Sequence, residues 1–308
     1  MTVLFHHALA GEHRTPTGHP ERVERMRAVD EALSSPAFAK LDRRSAVAAS
    51  LATVALAHPE AWVRSIVDAA PKDGIVHLDG DTILSPGTIA CVLQGIGAAV
   101  EGVDLVMRGE AKNAFAATRP PGHHAERTRA MGFCIFNDVA IAARHAQSVH
   151  GVERVAIVDW DVHHGNGTQD IFWADPSALF CSTHQMPLYP GSGAASERGE
   201  HGTIVNVPLR PGTDGETFRE AFQSGILPRL EAFRPDLILI SAGFDAHRRD
   251  PLANLMLEAE DFAWATRRVM EHADRCCGGR IVSVLEGGYD LQGLAESASA
   301  HVAALMEA

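Results

Sequence analysis

The stretch Arg154-Val-Ala-Ile-Val-Asp-Trp-Asp-Val-His-His-Gly-Asn-Gly167 decides the fold, because an apolar run ends abruptly in carboxylate and imidazole side chains. An uninterrupted apolar run such as Val155–Val158 is typical of a parallel strand that is buried on both faces. In open α/β sheets, ligands bind beyond the carboxyl ends of the strands. The stretch therefore predicts a central strand with site residues directly after it.

Further strand candidates alternate with helical segments along the chain. The strand candidates are Val3–Phe5, Gly74–His77, Asn113–Thr118, Arg154–Val158, Ala178–Ser182, Thr203–Val207, Asp236–Ser241 and Arg280–Leu285. The helical candidates are Pro20–Ser34, Ser85–Met107, Asn137–His150, Asp214–Phe233, Glu258–Asp274 and Leu291–Glu307. No repeat or linker interrupts this alternation. It predicts one α/β domain over residues 1–308, with helices on both faces of a sheet.

The composition is that of an ordinary globular protein, and it limits the classes of molecule that the protein is expected to bind. A formal net charge of −12 argues against direct nucleic-acid binding, which needs a positive field. The five cysteines match no zinc-binding spacing, which favours reduced thiols in the cytoplasm. The first residues are too His-rich for a signal peptide, and no apolar run approaches about 18 residues. We therefore expect neither a leader nor a membrane span.

Polar clusters follow four of the strand candidates. They are Arg119–Ala125, Asp159–Gly167, Ser241–His247 and Glu286–Asp290. Because the carboxyl ends of parallel strands meet at one edge of the sheet, we expect the four clusters to converge on a single site.

The pattern Asp159-x-Asp161-x-His163 has metal-binding chemistry. A period of two residues places these side chains on one side of an extended chain, and carboxylate and imidazole are ordinary zinc ligands. The alternative is a buried carboxylate pair that hydrogen-bonds a loop. Asp245, after a different strand, is a plausible third ligand. A set of three protein ligands leaves one coordination position open, as in catalytic zinc sites.

The adjacent His123 and His124 are candidates for acid–base catalysis. Such pairs often only cap a loop, but the carboxylates of the neighbouring cluster favour a proton-transfer role. Asp159 would raise the pKa of one histidine, whereas Asn166 would only orient the other. The phenol of Tyr289 would suit a donor to a developing oxyanion, although a packed loop tyrosine is the simpler interpretation of that residue alone.

Together these segments resemble the histone deacetylase family, in particular its class II-like and bacterial members. The matching segments are RPPGHHA (Arg119–Ala125), GFCIFNDVAIAA (Gly132–Ala143), DWDVHHGNGTQDIF (Asp159–Phe172), YPGSG (Tyr189–Gly193), SAGFDAHRRDPL (Ser241–Leu252) and LEGGYD (Leu285–Asp290). They occur in the family's order and cover nearly the whole chain. The resemblance implies a single arginase-deacetylase-like α/β domain whose central, mostly parallel sheet has eight strands flanked by helices on both faces.

The resemblance also implies roles for individual residues. The zinc ligands would be Asp161, His163 and Asp245, with Fe²⁺ as an alternative metal. The catalytic residues would be His123, His124, Asp159, Asn166 and Tyr289. The substrate-binding residues would be Gly132, Phe133, Tyr189, Leu252 and Arg22, with Arg22 behind the site near an acetate exit. Potassium would bind at a first site of Asp159, Asp161, His163, Ser182 and Thr183, and at a second site of Phe172, Asp175, Ala178 and Thr203.

The implied activity is hydrolysis of an acyl-lysine amide in a protein or peptide. Asn166 stands where class I enzymes have Asp, and Tyr289 stands where weakly active class IIa members have His. The alternative is an acetylpolyamine or another small N-acyl amine. Leu252 occupies the position of the Glu gatekeeper of polyamine-selective members, which removes one reason to expect that alternative. The oligomeric state stays open, a homo-oligomer included.

Overall fold

The computed structural model describes residues 1–308, and its frame is an eight-stranded sheet in which every pairing is parallel. Its strands are β1 (Thr2–His6), β2 (Asp42–Ser45), β5 (Asn113–Ala116), β6 (Val155–Asp159), β7 (Ala178–Gln185), β8 (Ile204–Leu209), β9 (Leu237–Ala242) and β10 (Ile281–Leu285). They lie side by side in the order β2-β1-β5-β10-β9-β6-β7-β8. A separate antiparallel hairpin consists of β3 (Val76–His77) and β4 (Ile83–Leu84).

Helices cover both faces of the sheet, as the sequence predicts. They are α1 (Glu24–Leu33), α2 (Leu51–Val54), α3 (Glu60–Ala69), α4 (Thr88–Met107), α5 (Asp138–His150), α6 (Asn166–Phe172), α7 (Gly215–Gly225), α8 (Leu227–Phe233), α9 (Ala259–Cys277) and α10 (Leu291–Leu305). Successive side chains of a strand point to opposite faces. Ala156 and Val158 of β6 therefore join a core under α1 and α7 to α10, while Val155 and Ile157 join a core under α3, α4 and α5.

Helix α4 is long and apolar enough to cross a membrane by composition alone, but 67% of its most apolar window is buried inside the protein. Its buried side chains, among them Val92, Ile96 and Val103, pack in the same core as β5 and α5. The apolar character of α4 is thus explained by its packing against the sheet and α5.

One strand candidate was wrong, although the number of strands in the sheet is as expected. In Gly74–His77 only the last two residues are extended, and they pair with β4 outside the main sheet. The eighth strand is instead Asp42-Arg-Arg-Ser45, whose alternately exposed side chains show no apolar run. An edge strand has one neighbour and tolerates charged residues, which also protect it from pairing with other chains.

The helical candidate Asp214–Phe233 is two helices. Helix α7 ends at Gly225, and α8 begins at Leu227 with Pro228 in its first turn. Proline has no N–H to continue the hydrogen bonds of the preceding helix but fits the first turn of a new one. The break therefore lies where the proline requires it.

Candidate active site

Asp161, His163 and Asp245 form one buried cluster where β6 and β9 end. These strands are neighbours in the sheet, so the loops after them meet. The donor atoms of the three residues all lie within 4.8 Å of one another. His163 Nδ1 lies 3.2 Å from Asp161 Oδ1 and 3.0 Å from Asp245 Oδ2. Two carboxylates and one imidazole at these distances are a donor set that fits a divalent metal ion.

Main-chain N–H groups hold the second oxygen of each aspartate. Val162 N donates to Asp245 Oδ1 at 2.8 Å, and Gly287 N donates to Asp161 Oδ2 at 2.8 Å. Each carboxylate is thereby oriented with its other oxygen toward His163, as outer partners orient ligands in metal sites. Position 287 needs a glycine, because a Cβ there would lie 2.2 Å from Asp245 Oδ2.

The electrostatics of this cluster favour a positive charge at its centre. Burial alone would lower the pKa of His163, but its hydrogen bonds with Asp161 and Asp245 raise that pKa to about 10. The two buried carboxylates attract any cation placed between them, and a divalent ion satisfies the pair better than a single proton on the imidazole. The residues present therefore fit a metal ion.

His123 and His124 lie side by side beyond β5, with ring centroids 4.0 Å apart, but they have different partners. His123 Nδ1 lies 3.0 Å from Asp159 Oδ2, and His124 Nδ1 lies 2.8 Å from Asn166 Oδ1. The amide nitrogen of Asn166 donates to Glu126 Oε1 at 2.8 Å, so the carbonyl of Asn166 faces His124. His124 must then donate from Nδ1, which leaves a lone pair on Nε2.

The two imidazoles differ in charge at neutral pH. Burial alone would lower the pKa of His123, but the carboxylates of Asp161 and Asp159 raise it well above 6.5. Burial, followed by the positive charges of His123 and His163, lowers the pKa of His124 well below 6.5. The pair therefore combines a neutral imidazole, which is able to accept a proton, with an imidazolium, which is able to donate one.

Tyr289 reaches the site on the loop after β10. Asp250 accepts from Tyr289 N at 2.7 Å and from Leu252 N at 3.0 Å, so one carboxylate holds both residues. The guanidinium of Arg25 lies over the phenol ring, 5.0 Å from its centroid, and donates to Gly288 O at 2.7 Å. Burial raises the pKa of Tyr289 well above 10, so the hydroxyl stays protonated and able to donate.

A narrow cavity of about 240 Å³ leads to these groups. Its lining residues are Asp81, His124, Gly132, Phe133, His163, Leu188, Tyr189, Leu252 and Tyr289. The substrate-binding candidates Gly132, Phe133, Tyr189 and Leu252 thus lie together around it. Gly132 has φ +57°, and a Cβ there would lie 2.5 Å from His124 Cδ2, so only glycine fits.

Arg22 does not lie behind the site, and that expectation was wrong. Arg22 is exposed and precedes α1, which begins at Glu24. Arg25, one turn further along, is fully buried and donates to the carbonyl oxygens of Glu286 and Gly288. The start of the helix decides which arginine faces the core, and no motif in this segment distinguishes the two.

Several groups at the site were not singled out from the sequence. Glu286 Oε2 accepts from Gly122 N at 2.7 Å and from His123 N at 3.1 Å, so it fixes the loop that carries the tandem histidines. Asp81 brings a carboxylate to the cavity from the β3–β4 hairpin. Glu286 was visible as an acid directly after an apolar strand, whereas nothing around Asp81 marks it as a site residue.

The residues of the two candidate potassium sites are also close to one another. Asp159, the last residue of β6, is paired in register with Ser182 in the middle of β7. Beside them the hydroxyl oxygen of Thr183 is buried and has no hydrogen-bond partner, which fits a cation ligand. At the second site, the hydroxyl of Thr203 donates to the main-chain oxygen of Asp175 at 3.2 Å, and the Asp175 carboxylate pairs with Arg144. A cation there would depend on main-chain oxygens.

Comparison with known proteins gives one consistent result. A sequence model of the histone deacetylase domain matches residues 19–305. A probable deacetylase of Archaeoglobus fulgidus is 41% identical over 297 residues, which cover 94% of this chain and 82% of that protein. A histone deacetylase-like amidohydrolase of Pseudomonas aeruginosa is 42% identical over 277 residues, which cover 88% of this chain and 73% of that protein.

A solved structure agrees with the sequence matches. The crystal structure of the HDA15 HD domain has a TM-score of 0.93 and 34% sequence identity, covering 99% of this chain and 88% of that one. The eight-stranded parallel sheet is thus that of a known fold. The chain belongs to the histone deacetylase family, a family of metal-dependent hydrolases with deacetylase and amidohydrolase members.

Proposed function

We propose that the protein is a zinc-dependent deacetylase that removes acetyl or another short acyl group from lysine side chains of proteins or peptides. The observation that carries this proposal is the cavity of about 240 Å³, whose lining includes His124, His163 and Tyr289. Its volume lies below the roughly 300–1,000 Å³ of pockets for drug-sized ligands, which suits a single unbranched chain.

Asp161, His163 and Asp245 are the proposed zinc ligands. Zinc held there would supply Lewis acidity toward the amide carbonyl and would lower the pKa of a water molecule. Imidazole and carboxylate ligands also suit Fe²⁺, so either metal is compatible with the chemistry. The orphaned hydroxyl of Thr183 supports the further proposal of a potassium ion next to Asp159.

The protein's own groups would move the protons. His124 accepts a proton from the attacking water at Nε2, because its Nδ1 is occupied by Asn166. Tyr289 donates to the amide oxygen as negative charge develops there. The leaving amine takes its proton from His123 or His124. Asp159 holds His123 in position and stabilises its positive charge.

Hydrolysis of an acetylpolyamine is the alternative, and one observation favours it. Asp81 lines the cavity, and its carboxylate would attract the second amine of such a substrate. Leu252 adds no charge to the lining. A lysine-rich peptide is equally cationic, so the net charge of −12 is compatible with both substrates.

A substrate panel with defined metal content tests the proposal. The protein is stripped of metal, reloaded with Zn²⁺ or Fe²⁺, and assayed for kcat/KM on an acetyl-lysine peptide and on acetylputrescine. We expect hydrolysis of the peptide, and loss of it after chelation. Faster turnover of acetylputrescine would select the alternative, and no hydrolysis of either amide with either metal would contradict both.

We also infer a reducing compartment, with the cytoplasm as the simplest choice. All five cysteines are free, and four of them are buried. Titration of free thiols in protein isolated under alkylating conditions tests this inference, since a disulfide recovered from cells would contradict it.

A further inference from the structure

Three side chains of metal-binding type converge where the strands of the sheet begin, at the end opposite the active site. Asp104 lies near the end of α4, and His145 and His150 lie in the last two turns of α5. Each helix leads directly into a parallel strand, α4 into β5 and α5 into β6, so each ends at the edge where those strands begin. The cluster is therefore separated from Asp161 by the length of a strand.

The distances within this cluster are short. His145 Nε2 lies 2.7 Å from Asp104 Oδ1, and His150 Nε2 lies 2.6 Å from the same oxygen. The ring centroids of the two histidines are 5.8 Å apart. Zinc bound at about 2.0–2.1 Å to both Nε2 atoms would place the centroids roughly 5 Å apart. Small side-chain rotations would thus bring all three donors onto one ion.

The surroundings hold the donors in place and favour a cation. The side chains are partly buried, with exposed fractions of 12% for His145, 16% for His150 and 27% for Asp104, so an ion reaches them from solvent. The C-terminal ends of α4 and α5 both point here, and helix C-termini carry partial negative charge. Burial alone would raise the pKa of Asp104, but the hydrogen bonds from the two imidazoles lower this pKa below its usual value. The carboxylate of Asp104 therefore stays ionised.

One positive group stands nearby. Arg108 approaches the other oxygen of Asp104 at 3.9 Å, but its Nε donates to Glu110 at 2.7 Å, so that carboxylate shares its charge. Both imidazoles face the Oδ1 atom of Asp104, whereas Arg108 approaches Oδ2. No hydrogen bond occupies the Nδ1 atom of either ring. Each ring is free to carry its proton on Nδ1 and to offer the Nε2 lone pair to a metal.

We propose that Asp104, His145 and His150 form a second binding site for Zn²⁺ or a similar borderline divalent ion, distinct from the active site. Two imidazoles and a carboxylate suit zinc, nickel and copper better than calcium or magnesium, which take oxygen ligands. The bound ion would link the ends of α4 and α5 and would be completed by water. The ion would thereby hold the ends of the two helices together.

Zinc stoichiometry in the full chain tests this site. The wild type, His150→Gln and Asp104→Asn are incubated with a small excess of Zn²⁺, freed of unbound metal and measured by elemental analysis. His201→Gln is the matched control, because His201 is an exposed histidine outside the cluster. We expect two zinc ions per chain in the wild type and the control and one in each variant. Because the cluster is remote from the cavity, kcat/KM should stay within twofold in all four proteins.

A thermal melt adds a second readout. Zinc added to the active-site-loaded protein should raise the Tm of the wild type and of His201→Gln, but not that of the two cluster variants. The site is overturned if the wild type and the cluster variants hold the same number of zinc ions, whether one or two. It is also overturned if His201→Gln loses the second ion as they do.

Discussion

Tyr289→Phe separates the chemical role of the phenol from its role in packing. The ring of Tyr289 lies 5.7 Å from that of Phe133, centroid to centroid, and beneath the guanidinium of Arg25 at 5.0 Å. A phenylalanine keeps both contacts. The hydroxyl makes no hydrogen bond within the protein, so its removal leaves no buried group without a partner. The usual cost of such an orphaned group, about 1–3 kcal/mol, therefore does not arise.

The effect on catalysis should be much larger than the effect on stability. Loss of one oxyanion donor typically lowers kcat by about 10²–10³, equivalent to about 2.7–4 kcal/mol in the transition state. We expect a loss of this size in kcat with an acetyl-lysine peptide, a KM within a few-fold of the wild-type value, and an unchanged metal content. A steady-state assay, a thermal melt and elemental analysis of one preparation measure these quantities.

Tyr189→Phe is the matched control, because Tyr189 is the other tyrosine of the chain and lines the same cavity. Tyr189 is 40% exposed, and its hydroxyl is not proposed to reach the amide oxygen. It should retain kcat within a few-fold. A Tyr289→Phe protein with full metal content and kcat within tenfold of the wild type would refute the oxyanion role. So would an equal loss in both variants, since the effect would then arise from the cavity wall.

Three further predictions follow from other groups. Burial lowers the pKa of His301 to about 3 in the folded protein, so the stability that its neutral imidazole provides is present above pH 6.5 and is lost as the pH falls toward 3. In urea titrations below pH 6.5, His301→Gln should reduce the slope of unfolding free energy against pH by up to about 1.4 kcal/mol per pH unit. An unchanged slope would contradict this prediction. Gly132→Ala should abolish most activity, because the new methyl group would push His124 aside; wild-type kcat would show that the loop adapts. Asp250→Asn should lower kcat more than it raises KM, because an amide cannot accept from every N–H that the carboxylate holds near Tyr289; an effect confined to KM would assign Asp250 to substrate binding alone.

The candidate site was largely predictable because its chemistry is encoded locally. Asp161 and His163 follow an apolar strand at a spacing of two, and the parallel sheet then requires their loop to meet the loop of Asp245. Asp159 and Asn166 were each expected beside one of the tandem histidines, and the structure shows Asp159 beside His123 and Asn166 beside His124. Each of these inferences depends on a short segment and on one rule about strand ends.

The features that were missed depend on tertiary structure. Arg25 rather than Arg22 lies behind Tyr289 because α1 begins between them, and the helix start has no side-chain cap to mark it. The edge strand Asp42–Ser45 has only one neighbouring strand, so nothing selects for an apolar sequence. Asp81 reaches the cavity because the β3–β4 hairpin folds over it. None of these arrangements leaves a periodic signal in the sequence.

The position of β10 has a consequence for the order in which the site is assembled. This strand is the last in the chain, yet it pairs with β5 on one side and β9 on the other. Without it the sheet is two separate fragments: β2-β1-β5, which leads to the tandem histidines, and β9-β6-β7-β8, which leads to the proposed metal ligands. β10 joins the two fragments and also carries Tyr289. A nascent chain that stops before residue 281 therefore holds the tandem histidines and the proposed metal ligands on two fragments of the sheet that are not connected. The complete site can therefore form only after β10 and Tyr289 have left the ribosome.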